Sequence, residues 1–585
     1  MVCLKRNLIL SCVFLLLVSG LSVKGLSLEE NQLNKAQEFV REYLGPIRIV
    51  WQSDYSEGNI KNIAQLLKEG SGQADLSNTE LCILESNITR KPAFLVDFGK
   101  EIHGGLQLVT GRWESKKPIK VRVRFGESVG EAMSEIGEKG ATNDHAIRDF
   151  EIELPWLGKL EVGNTGFRFV RIDLIDDNAK LHLKEIRAIS VYRDIPYLGS
   201  FKSSDTLLNK IWKTGAYTVH LNMQDYLWDG IKRDRLVWVG DLHPEVATIN
   251  SVFGYNNVVP KSLDLIRDIT PLPKWMNGIS TYSMWWVVLQ YDWYMHHGDL
   301  AYLRQQQPYL KGLLQQIVSK IDENGIERLD GERFLDWPST KNKNAVHAGL
   351  QAMVVKSISL GNKLAIILDD KEMMQLCEVA LKKLSDYVPD HHNSKQAASL
   401  MAISGLMSPK QANEEVIAVG GAKDFSTFYG YYMLQAKALA GDYKVALDNI
   451  REYWGGMLDL GATTFWEDFD LAWMENAAPI DQLVPEGKKD IHGDYGDYCY
   501  TGYRHSLCHG WASGPTAWLT EHILGIKVTA PGCKEIAIKP NLADLDYAEG
   551  TFPTPFGVLW VKHTRKTDGS INTNIKVPKG IRIVK

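Results

Sequence analysis

The hydrophobic pattern of the chain changes period twice. Between about Lys91 and Arg193 the period is two. Ile119 to Phe125 alternates, with Val121, Val123 and Phe125 on one side and Lys120, Arg122 and Arg124 on the other. That spacing predicts a strand with its apolar face in a core and its charges in water. Ala93 to Phe98 is a compact apolar run, and Phe167 to Ile172 and Ile186 to Tyr192 read the same way. Short strands with turn residues between them predict a β-sandwich.

Near Gly199 the spacing becomes helical. Ser204-Asp205 offers a cap for a helix running to about Asn222. Asp299 starts another, with Leu303, Leu310, Leu313, Leu314 and Ile317 at helical spacing. Ala345 to Leu368, Phe425 to Ala440 and Tyr443 to Trp454 continue the pattern. Roughly a dozen such stretches lie between Gly199 and Leu524. Breaks as short as His297-Gly298-Asp299 and Ala440-Gly441-Asp442 suit helical hairpins. A ring of them, an (α/α)6 barrel, would gather its functional loops at one end. After Pro531-Gly532 the period returns to two, and Val558 to His563, Asp568-Gly569 and Ile571 to Val577 form a hairpin signal. The expected organisation is an N-terminal β-sandwich over 26–198, a helical barrel over 199–525 and a small β-sandwich over 526–585.

The first 25 residues read as an export signal. Lys5 and Arg6 precede an apolar run from Leu8 to Val18, and Ser19, Gly20 and Ser22 follow. The run is short for a membrane span, so the mature protein is expected outside the cytoplasm, periplasmic or extracellular, with no membrane insertion. Composition narrows the function classes. Lys plus Arg is 66 against 71 Asp plus Glu, and no basic run marks a phosphate-tracking face, which argues against nucleic acid. Of 7 Cys, Cys3 and Cys12 leave with the signal, and the odd remainder is too sparse for a disulfide scaffold, although one pair could form. Trp equals Phe at 17 each. Wide rings in that number serve either packing or stacking against the apolar face of a sugar.

The densest run of ionisable and aromatic residues is Asp229 to Asp241, which holds Arg233, Asp234, Arg235 and Trp238, with Gly230 and Gly240 near its two ends. It reads as a loop, with Asp241 capping a helix from His243 to Phe253. Arg233 and Arg235 can fix carboxylates through forked hydrogen bonds. The second segment, Gly461 to Asp470, places Trp466 beside Glu467. The third holds Cys499, His505, Cys508 and His509. Its spacing matches no paired Cys-x-x-Cys zinc pattern, and a His-lined sugar site is the stronger reading. Glycoside hydrolysis needs two carboxyl groups flanking the scissile bond, and the first two segments can supply one each. Neither a Gly-x-Ser-x-Gly elbow, a phosphate loop nor a His-Glu-x-x-His pair occurs. No metal or cofactor is expected.

Those residues resemble a family. Asp229-Gly-Ile-Lys-Arg233-Asp234-Arg235-Leu-Val-Trp238-Val-Gly240-Asp241 is similar to the Asp-Cys-Pro-x-Arg-Glu-Arg-x-Gly-Trp-x-Gly-Asp signature of inverting α-L-rhamnosidases of glycoside hydrolase family 78. Thr463-Thr464-Phe465-Trp466-Glu467 resembles its Thr-Thr-x-Trp-Glu element, and Ser506-Leu507-Cys508-His509 its Ser-x-Asn-His element. The resemblance implies an (α/α)6 barrel between β domains and a terminal rhamnosyl group on an oligosaccharide or polysaccharide as substrate. It puts Asp234 at the general-acid position and Glu467 at the general-base position. Asp229, Arg233, Trp238, Asp241, Trp466 and His509 match substrate-binding positions, and Asp336 and Trp337 resemble a further pocket element.

The departures are specific. Asp234 replaces the usual Glu and is one methylene shorter; Gly230-Ile231 replaces Cys-Pro; Val237 replaces Gly; Cys508 replaces Asn. Other readings are a related glycosidase acting on an α-L-fucoside or a uronide, a lyase using Tyr503 and His505, and a sugar-binding protein without turnover.

Overall fold

The computed structural model describes residues 39–53, 58–77, 79–498 and 500–584. The expected export segment and Cys499 lie outside them. The N-terminal part is a nine-stranded sheet. Three of its strands are long: Ala93–Thr110, Lys159–Leu174 and Lys180–Arg193. Each therefore covers more than the short runs read from periodicity. They stay paired over that length by shifting register, as between Asp97 and Ile102 and between Gly104 and Leu106. Gly104 makes one shift possible: at φ +147 a Cβ there would sit 1.9 Å from the carbonyl oxygen of Ile189.

The strand Ile119–Gly126 buries Val121, Val123 and Phe125 as its alternation predicts. Its opposite face is not all in water. Arg124 is buried, because the neighbouring strand supplies Asp173 at 2.9 Å and a following loop supplies Glu135 at 2.9 Å. Periodicity reads a charge as solvated; it cannot see a carboxylate arriving from another strand.

The central part is helical. Thr206–Asn222 begins where Asp205 accepts hydrogen bonds from the amides of Leu207 and Leu208, and Leu300–Ser319 begins where Asp299 accepts from Tyr302. Lys343–Leu368, Gly430–Leu439 and Tyr443–Asp459 follow in the order expected. The fourth helix starts at Gly430, five residues later than its apolar pattern suggests, and Ser426 and Thr427 use their hydroxyls on Asp336 and on the Glu467 carbonyl. Asp241 precedes the helix Leu242–Val252 without capping it. Its carboxylate is engaged elsewhere.

The C-terminal hairpin pairs Gly557–Arg565 with Ile571–Lys576. Ser200–Ser203, at the start of the helical region, joins this sheet by pairing with Tyr547–Thr554. Two main hydrophobic cores result. One lies under the N-terminal sheet; the other is continuous between the helices and the C-terminal strands, from Phe201 and Trp212 to Phe552 and Val561. The described cysteines Cys82, Cys377, Cys508 and Cys533 are all free and buried.

Candidate active site

Three loops carry the predicted residues, and backbone hydrogen bonds zip them together. The segment Ser506–Gly510 is the middle member. Its Gly510 amide donates to the Asp229 carbonyl at 2.8 Å, and Gly230 and His509 form an isolated antiparallel bridge. On its other side His509 donates to the Phe465 carbonyl at 2.9 Å, and Glu467 donates to the Ser506 carbonyl at 3.0 Å. Carboxylates 233 positions apart in sequence are thereby brought to one place.

Arg233 joins them. One terminal nitrogen donates to Asp234 Oδ1 at 3.0 Å, and the other forms a short contact with Glu467 Oε1. Glu467 is the inner group, 1% exposed, whereas Asp234 is 18% exposed. Glu467 Oε2 accepts from the Ser506 amide at 3.0 Å, and His509 Nδ1 lies 3.7 Å from Oε1. Burial alone would raise the Glu467 pKa, but Arg233, His509 and His505 outweigh it and hold the carboxyl below the ordinary 4.5. The Asp234 carboxylate accepts from the Trp238 indole nitrogen at 3.1 Å, and His145 of the N-terminal sheet region lies 3.5 Å from its other oxygen.

The remaining acids behave differently. Asp229 is buried and accepts from the Leu236 amide at 2.9 Å; burial, together with Asp234 and Asp241, pushes its pKa well up. Asp241 accepts from Tyr282 at 2.8 Å and His509 Nε2 at 3.1 Å, and burial still raises it. The site thus holds Glu467 towards the ionised form and pushes Asp229 and Asp241 towards the neutral form.

His509 is charged at neutral pH more readily than a free imidazole. Burial opposes that charge, but Glu467, Asp241 and Asp229 surround it and raise its pKa above 6.5. A raised imidazole contributes stability fully below pH 6.5 and loses it as pH rises through the folded-state value. The melting-temperature difference between the wild type and His509→Gln should therefore shrink as pH rises from 6 towards 9 on the scale set by the ordinary histidine value. A difference constant across that range would show that His509 is neutral in the folded protein.

The other predicted residues sit as follows. Trp337 contacts the Tyr500 hydroxyl through its indole nitrogen, and Arg233 lies over the Tyr500 ring at 5.1 Å. Asp336 is buried and bonded to Ser426, Gln396 and the Ser339 amide. Ser426 and its neighbour Thr427, whose hydroxyl donates to the Glu467 carbonyl, link it to the pair. Trp466 is 1% exposed and packs edge-on against Phe469 and His505.

Sequence reasoning missed the support for these groups. Lys232 is buried and binds Glu127 at 2.9 Å, Glu131 at 3.2 Å and the carbonyls of Tyr503 and His505 at 2.9 and 2.7 Å. Glu127 in turn accepts from the Leu507 amide at 2.7 Å. The N-terminal region therefore braces two of the three site loops. Glu127, Glu131 and His492 are close enough to hold a metal ion, but the Lys232 ammonium already occupies the carboxylates, paired with both. Glu245 was also missed. Both its oxygens are buried without a hydrogen-bond partner among the described residues, and burial plus Asp241 and Asp229 push its pKa well up. A lone carboxyl on a helix carries no sequence signal that distinguishes it from a solvated one.

Residues 196–416 match the family described as the bacterial alpha-L-rhamnosidase 6 hairpin glycosidase domain, and residues 525–584 match the bacterial alpha-L-rhamnosidase C-terminal domain. The chain is 26% identical over 544 residues to an alpha-L-rhamnosidase of Alteromonas sp. (strain LOR), covering 84% of this chain and 55% of that protein. Among solved structures it superposes on a GH78 family rhamnosidase of Bacillus sp. GL1 with TM-score 0.71 and 22% identity, over 89% of this chain and 55% of that one. It superposes on a rhamnosidase from Klebsiella oxytoca with rhamnose bound with TM-score 0.64 and 19% identity, over 84% and 98%. The chain spans about half the length of the Alteromonas relative. The resemblance read from the motifs is borne out, with a helical six-hairpin domain between sheets at the two ends.

Proposed function

We propose, for a chain that carries the six-hairpin and C-terminal domains of bacterial alpha-L-rhamnosidases, that it hydrolyses terminal α-L-rhamnosyl residues of a glycan with inversion at the anomeric carbon. One observation carries the reading: Asp234 and Glu467 sit on the two terminal nitrogens of one guanidinium, within reach of a single pyranose.

Glu467, held ionised, takes a proton from water as its oxygen attacks the anomeric carbon. Asp234, at the open side, gives its proton to the departing glycosidic oxygen. An inverting pair holds its carboxyl groups roughly 6.5–9.5 Å apart, with the water in the gap. Arg233 fixes both orientations. Asp229, Asp241 and His509 hold sugar hydroxyls, and Trp238, Trp337 and Trp466 form or back the aromatic wall, with Asp336 supporting the loop below. In this reading the helices of 199–525 close into an (α/α)6 barrel between β-sandwiches over 26–198 and 526–585. Residues 1–25 direct export to the periplasm or the medium.

The replacement of Glu by Asp at the acid position has a backbone counterpart. Asp234 and Arg235 both lie in the left-handed region, at φ +54 and +57. Asp enters that region more readily than most residues, and the local backbone rather than an extra methylene sets where its carboxyl points. A panel of 4-nitrophenyl glycosides, with the product anomer followed by NMR, tests the proposal. Release from the α-L-rhamnoside as the β-anomer supports it; release from the α-L-fucoside or a uronide alone overturns the sugar assignment. Asp234→Asn should lower kcat by about a hundredfold or more, the scale of a positioned general acid, with unchanged circular dichroism.

A further inference from the structure

A loop of the N-terminal sheet region brings His145 to Asp234. His145 Nε2 lies 3.5 Å from Asp234 Oδ1 and 3.5 Å from Asp144 Oδ2. The loop is held in place around it. Asn143 Oδ1 accepts from the amides of Arg148 and Asp149 at 3.1 Å each, and Asp144 is ion-paired to Arg504. His145 at φ +61 and Asp234 at φ +54 both hold left-handed backbone without glycine. Side chains with a Cβ take that conformation where the surroundings fix them, often at functional sites. The imidazole is 29% exposed and lines a solvent-facing cavity of about 580 Å³.

A general acid needs a fresh proton for every turnover. Among the described residues, the side chains bonded or paired to Asp234 are Arg233 at 3.0 Å, Trp238 at 3.1 Å and His145. Guanidinium and indole donate hydrogen bonds but keep their hydrogens. Imidazole releases and regains a proton near neutrality. Resting on the rhamnosidase reading, we propose that His145 supplies the proton that Asp234 delivers to the departing glycosidic oxygen. As the bond from the anomeric carbon to that oxygen breaks, its electron pair stays on the oxygen, which takes the Asp234 proton. The His145 imidazolium passes its Nε2 proton to the Asp234 carboxylate and becomes neutral. A proton from solvent in the cavity restores it, and Glu467 returns to solvent the proton it took from the attacking water. His145 acts only through Asp234 and does not hold the sugar.

The test uses two leaving groups. Phenolate leaves poorly and needs the acid's proton; 4-nitrophenolate needs it less. His145→Gly suits the left-handed backbone and opens a gap beside the cavity. Its kcat on phenyl α-L-rhamnoside should fall by about a hundredfold, the lower end for a proton transfer, and on the 4-nitrophenyl substrate by far less. Added imidazole should restore part of the phenyl rate in His145→Gly but not in His145→Gln, where the side chain fills the gap. In an Asp234→Asn background His145→Gly should add little, because the two groups act in series. Melting temperatures serve as the fold control. An equal loss on both substrates, no loss on the phenyl substrate, no rescue by imidazole, or losses that add to those of Asp234→Asn each overturn the relay. A wild type that releases 4-nitrophenol but no phenol also overturns it. A wild type that cleaves neither rhamnoside removes the rhamnosidase reading itself.

Discussion

Glu467→Gln should leave a folded protein whose kcat on 4-nitrophenyl α-L-rhamnoside is down by about three orders of magnitude or more, the upper range for a positioned general base. The expectation comes from how much of the local structure serves this one carboxyl. Arg233, the Ser506 amide and His509 all address its oxygens, and together they keep it ionised despite burial. Glutamine keeps the shape and can still accept from Arg233 and Ser506, so packing survives while the ability to take a proton is lost. The loss should fall on kcat with KM little changed, because in the proposed mechanism the group acts on water rather than on ground-state sugar binding. A variant retaining more than a tenth of wild-type kcat would remove Glu467 from the chemistry.

Lys232→Met should cost about 3–5 kcal/mol of stability, read as a large fall in the calorimetric melting temperature. The ammonium is buried with Glu127 and Glu131, and its removal leaves two carboxylates without a cation. Burial already raises the Glu127 pKa to about 7 even with Lys232 present, so both acids would have to take up protons or admit water. The same ammonium holds the Tyr503 and His505 carbonyls, next to the loop that supports Glu467. Activity should therefore fall below the level that the folded fraction accounts for. The triple replacement Lys232→Met with Glu127→Gln and Glu131→Gln should recover part of the stability, since the charges leave together. If Lys232→Met melts within a degree or two of the wild type, the buried network is not what braces the site.

The loops of the candidate site were legible because their chemistry is concentrated. An Arg, an Asp and a Trp between two glycines, or a Trp next to a Glu, cannot serve many purposes in a short loop. The helices were legible for a similar reason: Asp205 and Asp299 cap where their positions imply. Asp241 was misread as a cap, since a carboxylate before a helix looks the same whether it turns to the backbone or to Tyr282 and His509. Arg124 was misread as solvated because its partner Asp173 lies on another strand. The long strands were misread as short ones because register shifts interrupt the alternation without ending the pairing.

Local pattern by itself determined the strand–helix–strand order and which residue types could carry acid, base and sugar contact, because periodicity and capping are properties of neighbours along the chain. Tertiary structure alone decided that Glu467 is ionised while Asp229, Asp241 and Glu245 are pushed towards the neutral form, that Lys232 ties the sheet region to the site, and that His145 comes to face Asp234. Protonation and charge balance depend on which groups burial brings within a few ångströms, and that distance is set by the fold rather than by separation in sequence.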